Sequence, residues 1–334
     1  MCTALGLKVR DFYFGRNLDL EYQFGEEVLV TPRHYPWQWR EVSEADLASC
    51  PFVPGHEKYA LIGMGNVSEN YPLYAEACNE HGLAMAGLNF PGNALYAEAQ
   101  EGKLNVTPFE FIPFILSQCQ TVSEARKLLT HFNLLAEAFN EKMPLAPLHF
   151  IIADQDDCIV VEQTHEGLKV YENPYYVLTN NPPFPFHEAN LQLYSHLSRT
   201  NYAEGLGPGF KVQPFGQGLG AFGLPGDASP SSRFVKTAFH RFNSDCAEDE
   251  LSAVSQFFHI LDSVSFVRGS VVTSEGLNDI TTYNCCMNCH TGDYYFKTYD
   301  NHQISCVSLR RTDLDSSELS RFKLPREEAI KYLN

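Results

Sequence analysis

The chain has 334 residues, 44% of them apolar, with 24 Lys plus Arg against 41 Asp plus Glu and a net charge of −17. That length admits a large core, and no apolar run approaches the roughly 20 residues that a membrane helix needs. The charge repels a phosphate backbone or an anionic lipid surface, so neither nucleic acid nor membrane is expected as a partner.

Taken from the N-terminus, β-branched, aromatic or alternating composition predicts short strands at Thr3–Val9, Tyr13–Leu20, Val28–Thr31, Tyr59–Met64 and Leu83–Leu88. The aromatic, Pro-containing stretch 34–57 reads as a connection. Thr107-Pro108-Phe109-Glu110 combines an N-cap, a first-turn Pro and a capping-box Glu, and Thr121 with Glu124 repeats the box for a second helix towards His131. Strands return at Leu148–Ala153, Ile159–Gln163, Leu168–Tyr171 and Tyr176–Leu178, with a turn at 154–157. Helices are expected at His187–Leu197, Ser232–Phe242 and Glu248–Val264, then strands at Ile280–Met287, Tyr294–Tyr299 and Ile304–Leu309. No repeat or linker divides the chain. Strand groups framing helix groups predict one α+β domain over 1–334, two antiparallel sheets face to face with helices on the outer faces.

Several motifs carry little. Gly218-Leu219-Gly220-Ala221-Phe222-Gly223 has G-x-G-x-x-G spacing, but Leu224-Pro225 follows where that motif opens a helix. Cys285, Cys286, Cys289 and His290 contain one C-x-x-C without a second ligand pair. A metal- or redox-binding protein built on them is a distant alternative; buried thiols in a strand are the expectation. Ten cysteines scattered through apolar runs, behind a start without an export pattern, read as reduced thiols in a cytoplasm.

No H-E-x-x-H or G-x-S-x-G is present, which leaves Cys2 as the nucleophile candidate. A second residue this small permits removal of Met1. Cys2 then carries its own base, because an α-amine titrates at about 7.7–8.0, close to a thiol. If the first two strands pair as a hairpin, Arg16 and Asp19 lie beside it. Arg16 is then placed to favour the thiolate and Asp19 to hold the amine.

M-C-T at the start, G-R-N-L-D at 15–19 and G-L-N-F-P-G at 87–92 resemble the choloylglycine hydrolase family. So do V-V-E-Q-T at 160–164, V-L-T-N-N-P at 177–182, G-L-P-G-D-x-S-P-x-S-R-F at 223–234, F-F-H-I-L-D-S-V at 257–264, V-R-G-S at 267–270 and the Y-Y-F-K-T-Y-D-N-H-Q-I strand pair at 294–304. The resemblance runs over essentially the whole chain. It implies the N-terminal-nucleophile (Ntn) hydrolase αββα sandwich, loss of Met1, and hydrolysis of glycine- or taurine-conjugated bile salts without metal or cofactor. By motif, Cys2 matches the nucleophile, Arg16 and Asp19 its surroundings, Asn180 an oxyanion donor and Arg233 a further polar partner. Asn181 stands beside Asn180 and is an alternative; Asn180 is preferred for its place directly after Thr179. Asn89 matches bile salt hydrolases, where penicillin V acylases tend to carry Tyr. A penicillin V or N-acyl-homoserine-lactone acylase using the same site is the alternative function. Leu18, Leu20, Tyr22 and Phe24 after the catalytic strand, Ala75, and Leu134, Leu135 and Phe139 in a variable loop are the expected steroid contacts. A homotetramer is the implied assembly.

Overall fold

A computed structural model describes residues 1–52, 58–202, 207–211 and 213–334. The chain opens with Cys2–Lys8 (β1), Phe12–Leu20 (β2) and Glu27–Thr31 (β3). The connection expected at 34–57 holds a short helix, Glu44–Ser49 (α1), whose start Ser43 caps by accepting from Asp46 N at 3.2 Å. Residues 53–57 of that connection lie outside the described residues. Leu61–Ser68 (β4), Tyr71–Asn79 (β5) and Ala84–Asn89 (β6) follow. The sequence reading missed β5, whose Ala and Glu are poor strand formers; pairing on both sides holds it extended.

Next come Leu104–Val106 (β7), Pro108–Gln118 (α2), Val122–Leu129 (α3) and Phe132–Leu134 (β8). At α2 the Glu110 carboxylate accepts from both N–H and hydroxyl of Thr107, so the reciprocal arm of the box is present. At α3 the box is incomplete. Thr121 Oγ1 accepts from Glu124 N, but the Glu124 carboxylate takes the Gln120 N–H at 2.7 Å.

Leu148–Ala153 (β9), Cys158–Thr164 (β10), Gly167–Glu172 (β11) and Val177–Leu178 (β12) lead to Phe184–Gln192 (α4). That helix starts three residues before the expected His187 and stops five before Leu197. Pro183 and Pro185 set its first turn, where a missing N–H costs nothing. Pro230–Phe242 (α5) and Glu250–Asp262 (α6) precede Ile280–Asn288 (β13), Asp293–Thr298 (β14), Asn301–Ser308 (β15) and a short unforeseen strand, Ser320–Lys323 (β16). Residues 219–221, inside the G-x-G-x-x-G spacing, form a single 3₁₀ turn rather than a helix start.

The strands build a six-stranded antiparallel sheet, β12-β1-β2-β13-β14-β15, and an eight-stranded one, β11-β10-β9-β6-β5-β4-β3-β16. Alternation along the second sheet shows both faces buried. Val28, Val30, Ile62, Ala84, Ala86, Ile151 and Val160 join one core with β1, β2, β13, α5 and α6. Their neighbours Leu29, Leu61, Met85, Phe150, Ile152 and Val161 join a second core with α2 and α3. The result is the four-layer αββα order, helices α5 and α6 on one outside and α2 and α3 on the other.

Candidate active site

The β1–β2 register is the origin of the site. Cys2 stands opposite Leu18 and Ala4 opposite Arg16, so Cys2, Ala4, Arg16 and Leu18 share one face and Arg16 is the diagonal neighbour of Cys2. That face looks between the sheets. Arg16 Nη2 donates to Cys2 Sγ, while Nη1 reaches across to the carbonyls of Gly87 at 2.6 Å and Ala75 at 3.2 Å on β6 and β5. Asn17 and Asp19 face the other way, towards the α5–α6 layer, where Asn17 Nδ2 donates to Leu261 O at 2.9 Å.

Asp19 therefore does not reach the sulfur. Its Oδ1 accepts from Thr281 Oγ1 at 2.6 Å, and its buried Oδ2 has no hydrogen-bond partner among the described residues. Nor does its carboxylate hold the Cys2 nitrogen. Met1 still precedes Cys2, and its amine donates to the Asp19 backbone carbonyl and to Asp279 Oδ2 at 3.3 Å. The Cys2 nitrogen is consequently an amide, and it donates to Asn180 Oδ1 at 2.9 Å.

Asn180 ties three elements together. Its Oδ1 also accepts from Arg233 Nη2 at 2.7 Å, and its Nδ2 donates to Asn89 O at 2.7 Å. Arg233, from the buried face of α5, places Nη1 on Thr3 Oγ1 at 2.6 Å and on Cys2 O. Asn180 is held in turn: His187 Nε2 donates to its carbonyl at 2.9 Å, and His149, stacked on Phe90, bonds Glu162 and the Thr179 carbonyl, each at 3.0 Å. Asn181 turns outward, donating to Pro91 O at 2.7 Å, so of the two adjacent amides only Asn180 meets Cys2. Asn89 enters through its backbone carbonyl at the half-buried end of β6. An amide nitrogen carries two hydrogens; one of Asn180's is committed to Asn89 and the second is left.

Charge is dense here and almost wholly buried. Burial alone lowers the Arg16 pKa, but the Cys2 sulfur, Tyr283 and Glu76 outweigh it and hold the guanidinium firmly protonated. Burial pulls Arg233 down, opposed by Asp19 and Cys2. It raises the Asp19 carboxyl, against the N-terminal amine and Arg233.

Sequence reasoning missed Glu76, fully buried on β5 with Oε2 at 3.6 Å from Arg16 Nη1, and also Thr281 and Asp279. The one signal for Glu76 was an acid interrupting Tyr74-Ala75-Glu76-Ala77-Cys78, a stretch not read as strand. The expected steroid contacts are dispersed. Leu18 is buried beside Cys2, Leu20 and Ala75 are half-buried against the same core, and Tyr22 lies beyond the strand, 58% exposed. Leu134 belongs instead to the outer core under α2 and α3, Leu135 is buried, and Phe139 packs on Phe109 at 5.1 Å.

Cys285 and Cys286 are consecutive on β13 and point to opposite faces. Among the described residues, no group of three or more His, Cys, Asp or Glu is placed to hold a metal ion. Among the same residues, no helix is long and apolar enough to cross a membrane.

The chain is 43% identical over 332 residues to the bile salt hydrolase/transferase of Lactiplantibacillus plantarum, covering 99% of each chain. A solved variant of conjugated bile acid hydrolase from Clostridium perfringens superposes with a TM-score of 0.88 at 36% identity over 100% of both chains. Penicillin V acylase from Agrobacterium tumefaciens shares the fold, with a TM-score of 0.73 at 18% identity over 97% of this chain and 92% of its own. The family model of linear amide C–N hydrolases, choloylglycine hydrolase family, matches residues 2–322, and the protein belongs to that family of amide-cleaving enzymes.

Proposed function

We propose that this enzyme releases glycine or taurine from conjugated bile salts, with Cys2 as nucleophile once Met1 is removed. The observation that carries this is the guanidinium of Arg16 on the Cys2 sulfur, at the very residue whose nitrogen Asn180 holds. A thiolate is the attacking form, and a cation in contact favours it.

The sulfur attacks the amide carbonyl carbon, and the carbonyl electron pair moves to oxygen. The remaining Asn180 hydrogen, with Asn89 at the adjoining strand end, stabilises that oxyanion. One such donor is typically worth about 2.7–4 kcal/mol. Collapse breaks the C–N bond, and the Cys2 α-ammonium passes its proton to the leaving amine, which departs as glycine or taurine. The amine then takes a proton from water, whose oxygen attacks the thioester, freeing the bile acid and the thiol. Arg233 fixes the terminal residue through its carbonyl while this proton moves in both directions, and Asp19, behind the strand, is the carboxylate offered to the amine once Met1 is gone. Leu18 and Leu20 on β2 and Ala75 on β5, with Tyr22 beyond the end of β2, supply apolar contact to the steroid. A cytoplasmic homotetramer is the expected form; the ten unbridged cysteines support the compartment.

Intact-mass spectrometry before and after incubation with a conjugated bile salt tests the reading. The expected mass lacks Met1 and gains the bile acyl group transiently on Cys2. Release of taurine or glycine by protein that keeps Met1 overturns it. Faster turnover of penicillin V than of any bile salt favours the acylase alternative.

A further inference from the structure

The proposed chemistry uses Arg16 but gives no work to the carboxylate behind it. Glu76 is fully buried, and each of its contacts comes from the opposite sheet. Oε2 accepts from Tyr283 Oη at 2.8 Å and lies 3.6 Å from Arg16 Nη1; Oε1 accepts from Tyr294 Oη at 2.7 Å and from Cys285 Sγ at 3.5 Å. Three of these partners donate and the fourth is a cation, a surrounding that favours the carboxylate against the burial that raises its pKa. An unpaired buried carboxylate is costly, and the donor set with one cation is what a retained charge requires.

The arginine is equally constrained. Nε donates to Asn17 O and Nη1 to Gly87 O and Ala75 O, which leaves Nη2 for the sulfur. Ala75 and Glu76 are consecutive on β5, where a register shift against β4 falls between Met64 and Gly65. One stretch of backbone therefore presents both a carbonyl and a carboxylate to the same guanidinium. Resting on the reading of Cys2 as nucleophile, we propose that Glu76 is a positioning residue for amide cleavage, fixing Arg16 against the Cys2 sulfur and moderating the positive field that the sulfur feels.

The direction follows from charge. Arg16 from β2 and Arg233 from α5 are the cations acting on the sulfur; Glu76 offsets the first, and Asp19, Asp279 and Asp227 act on the second. Tyr283, Tyr294 and Cys285 face Glu76 as neutral donors. With Glu76 neutralised, Arg16 acts undiluted and the thiol ionises at lower pH.

The experiment is the pH dependence of iodoacetamide alkylation at Cys2, read by mass spectrometry in the Met1-free enzyme, beside kcat and KM. In Glu76→Gln the alkylation midpoint moves about one unit towards acid and kcat falls with KM unchanged. Glu76→Asp retains the charge but not the reach, so kcat falls while its midpoint does not move towards acid. A Gln midpoint at the wild-type value overturns the proposal. So does an Asp variant with full kcat or with a midpoint moved towards acid, which keeps the question decidable if Gln does not fold. Because alkylation needs no bile salt, the two readings fail separately: a wild-type Cys2 that is never alkylated counts against the nucleophile, whereas an alkylated Cys2 indifferent to Glu76 counts against this inference alone.

Discussion

Arg233 and Cys2 are 231 positions apart, yet both donate to one atom, Asn180 Oδ1, from 2.7 and 2.9 Å. A single amide oxygen thus aligns an α5 arginine with the first residues of β1, while the same side chain's nitrogen grips the end of β6. Removing it loosens three elements at once.

Asn180→Ala is expected to lower kcat by about 10²–10³-fold, the scale of one lost oxyanion donor. KM should change far less, since the lost interaction strengthens only as the oxyanion forms. Steady-state kinetics on a conjugated bile salt checks this, and an equal rise in KM with intact kcat would contradict it.

Cys2→Ser should retain the fold and lose nearly all turnover. A hydroxyl keeps the bond geometry, but Arg16 cannot ionise it at neutral pH. The measurement is product release together with circular dichroism. Wild-type turnover by the serine variant would remove Cys2 from the chemistry.

Leu18→Ala removes a side chain buried in the inter-sheet core directly opposite Cys2. A cost of about 2–5 kcal/mol in denaturant unfolding is expected. Discrimination among bile salts differing in the steroid should weaken as well. Unchanged selectivity in the folded variant would separate Leu18 from substrate contact.

Asp227 fixes the start of the helix that carries Arg233. Its carboxylate accepts from Ser229 N at 2.9 Å and Ser232 Oγ at 2.6 Å, and these bonds lower its pKa to about 2. A depressed carboxylate pKa contributes stability above its unfolded value of 3.8, and that contribution is lost as pH falls towards 2. The melting-temperature gap between wild type and Asp227→Ala should therefore be constant above about pH 5 and shrink between about pH 4 and 2. A gap that persists at pH 2 would exclude the carboxylate as its source.

What the sequence determined by itself was local. Cys2 behind Met1, the β1–β2 hairpin and the α2 capping box follow from side-chain chemistry within a few residues, and alternation marked most of the strands. Because a hairpin is short-range, it also put Arg16 on the strand beside Cys2, though it left the register open. The tertiary structure decided the rest. In β5 the Pro, Ala and Glu weaken the strand signal of the two tyrosines, so Glu76 became visible only once β4 and β6 held that segment extended within the eight-stranded sheet. Likewise the contact of Asn180, and not Asn181, with Cys2, and the turning of the Asp19 carboxylate away from the Cys2 sulfur, depend on which side of the chain meets which layer. Burial makes those choices binding: a charge or amide inside the sandwich is retained only where partners distant in sequence converge on it.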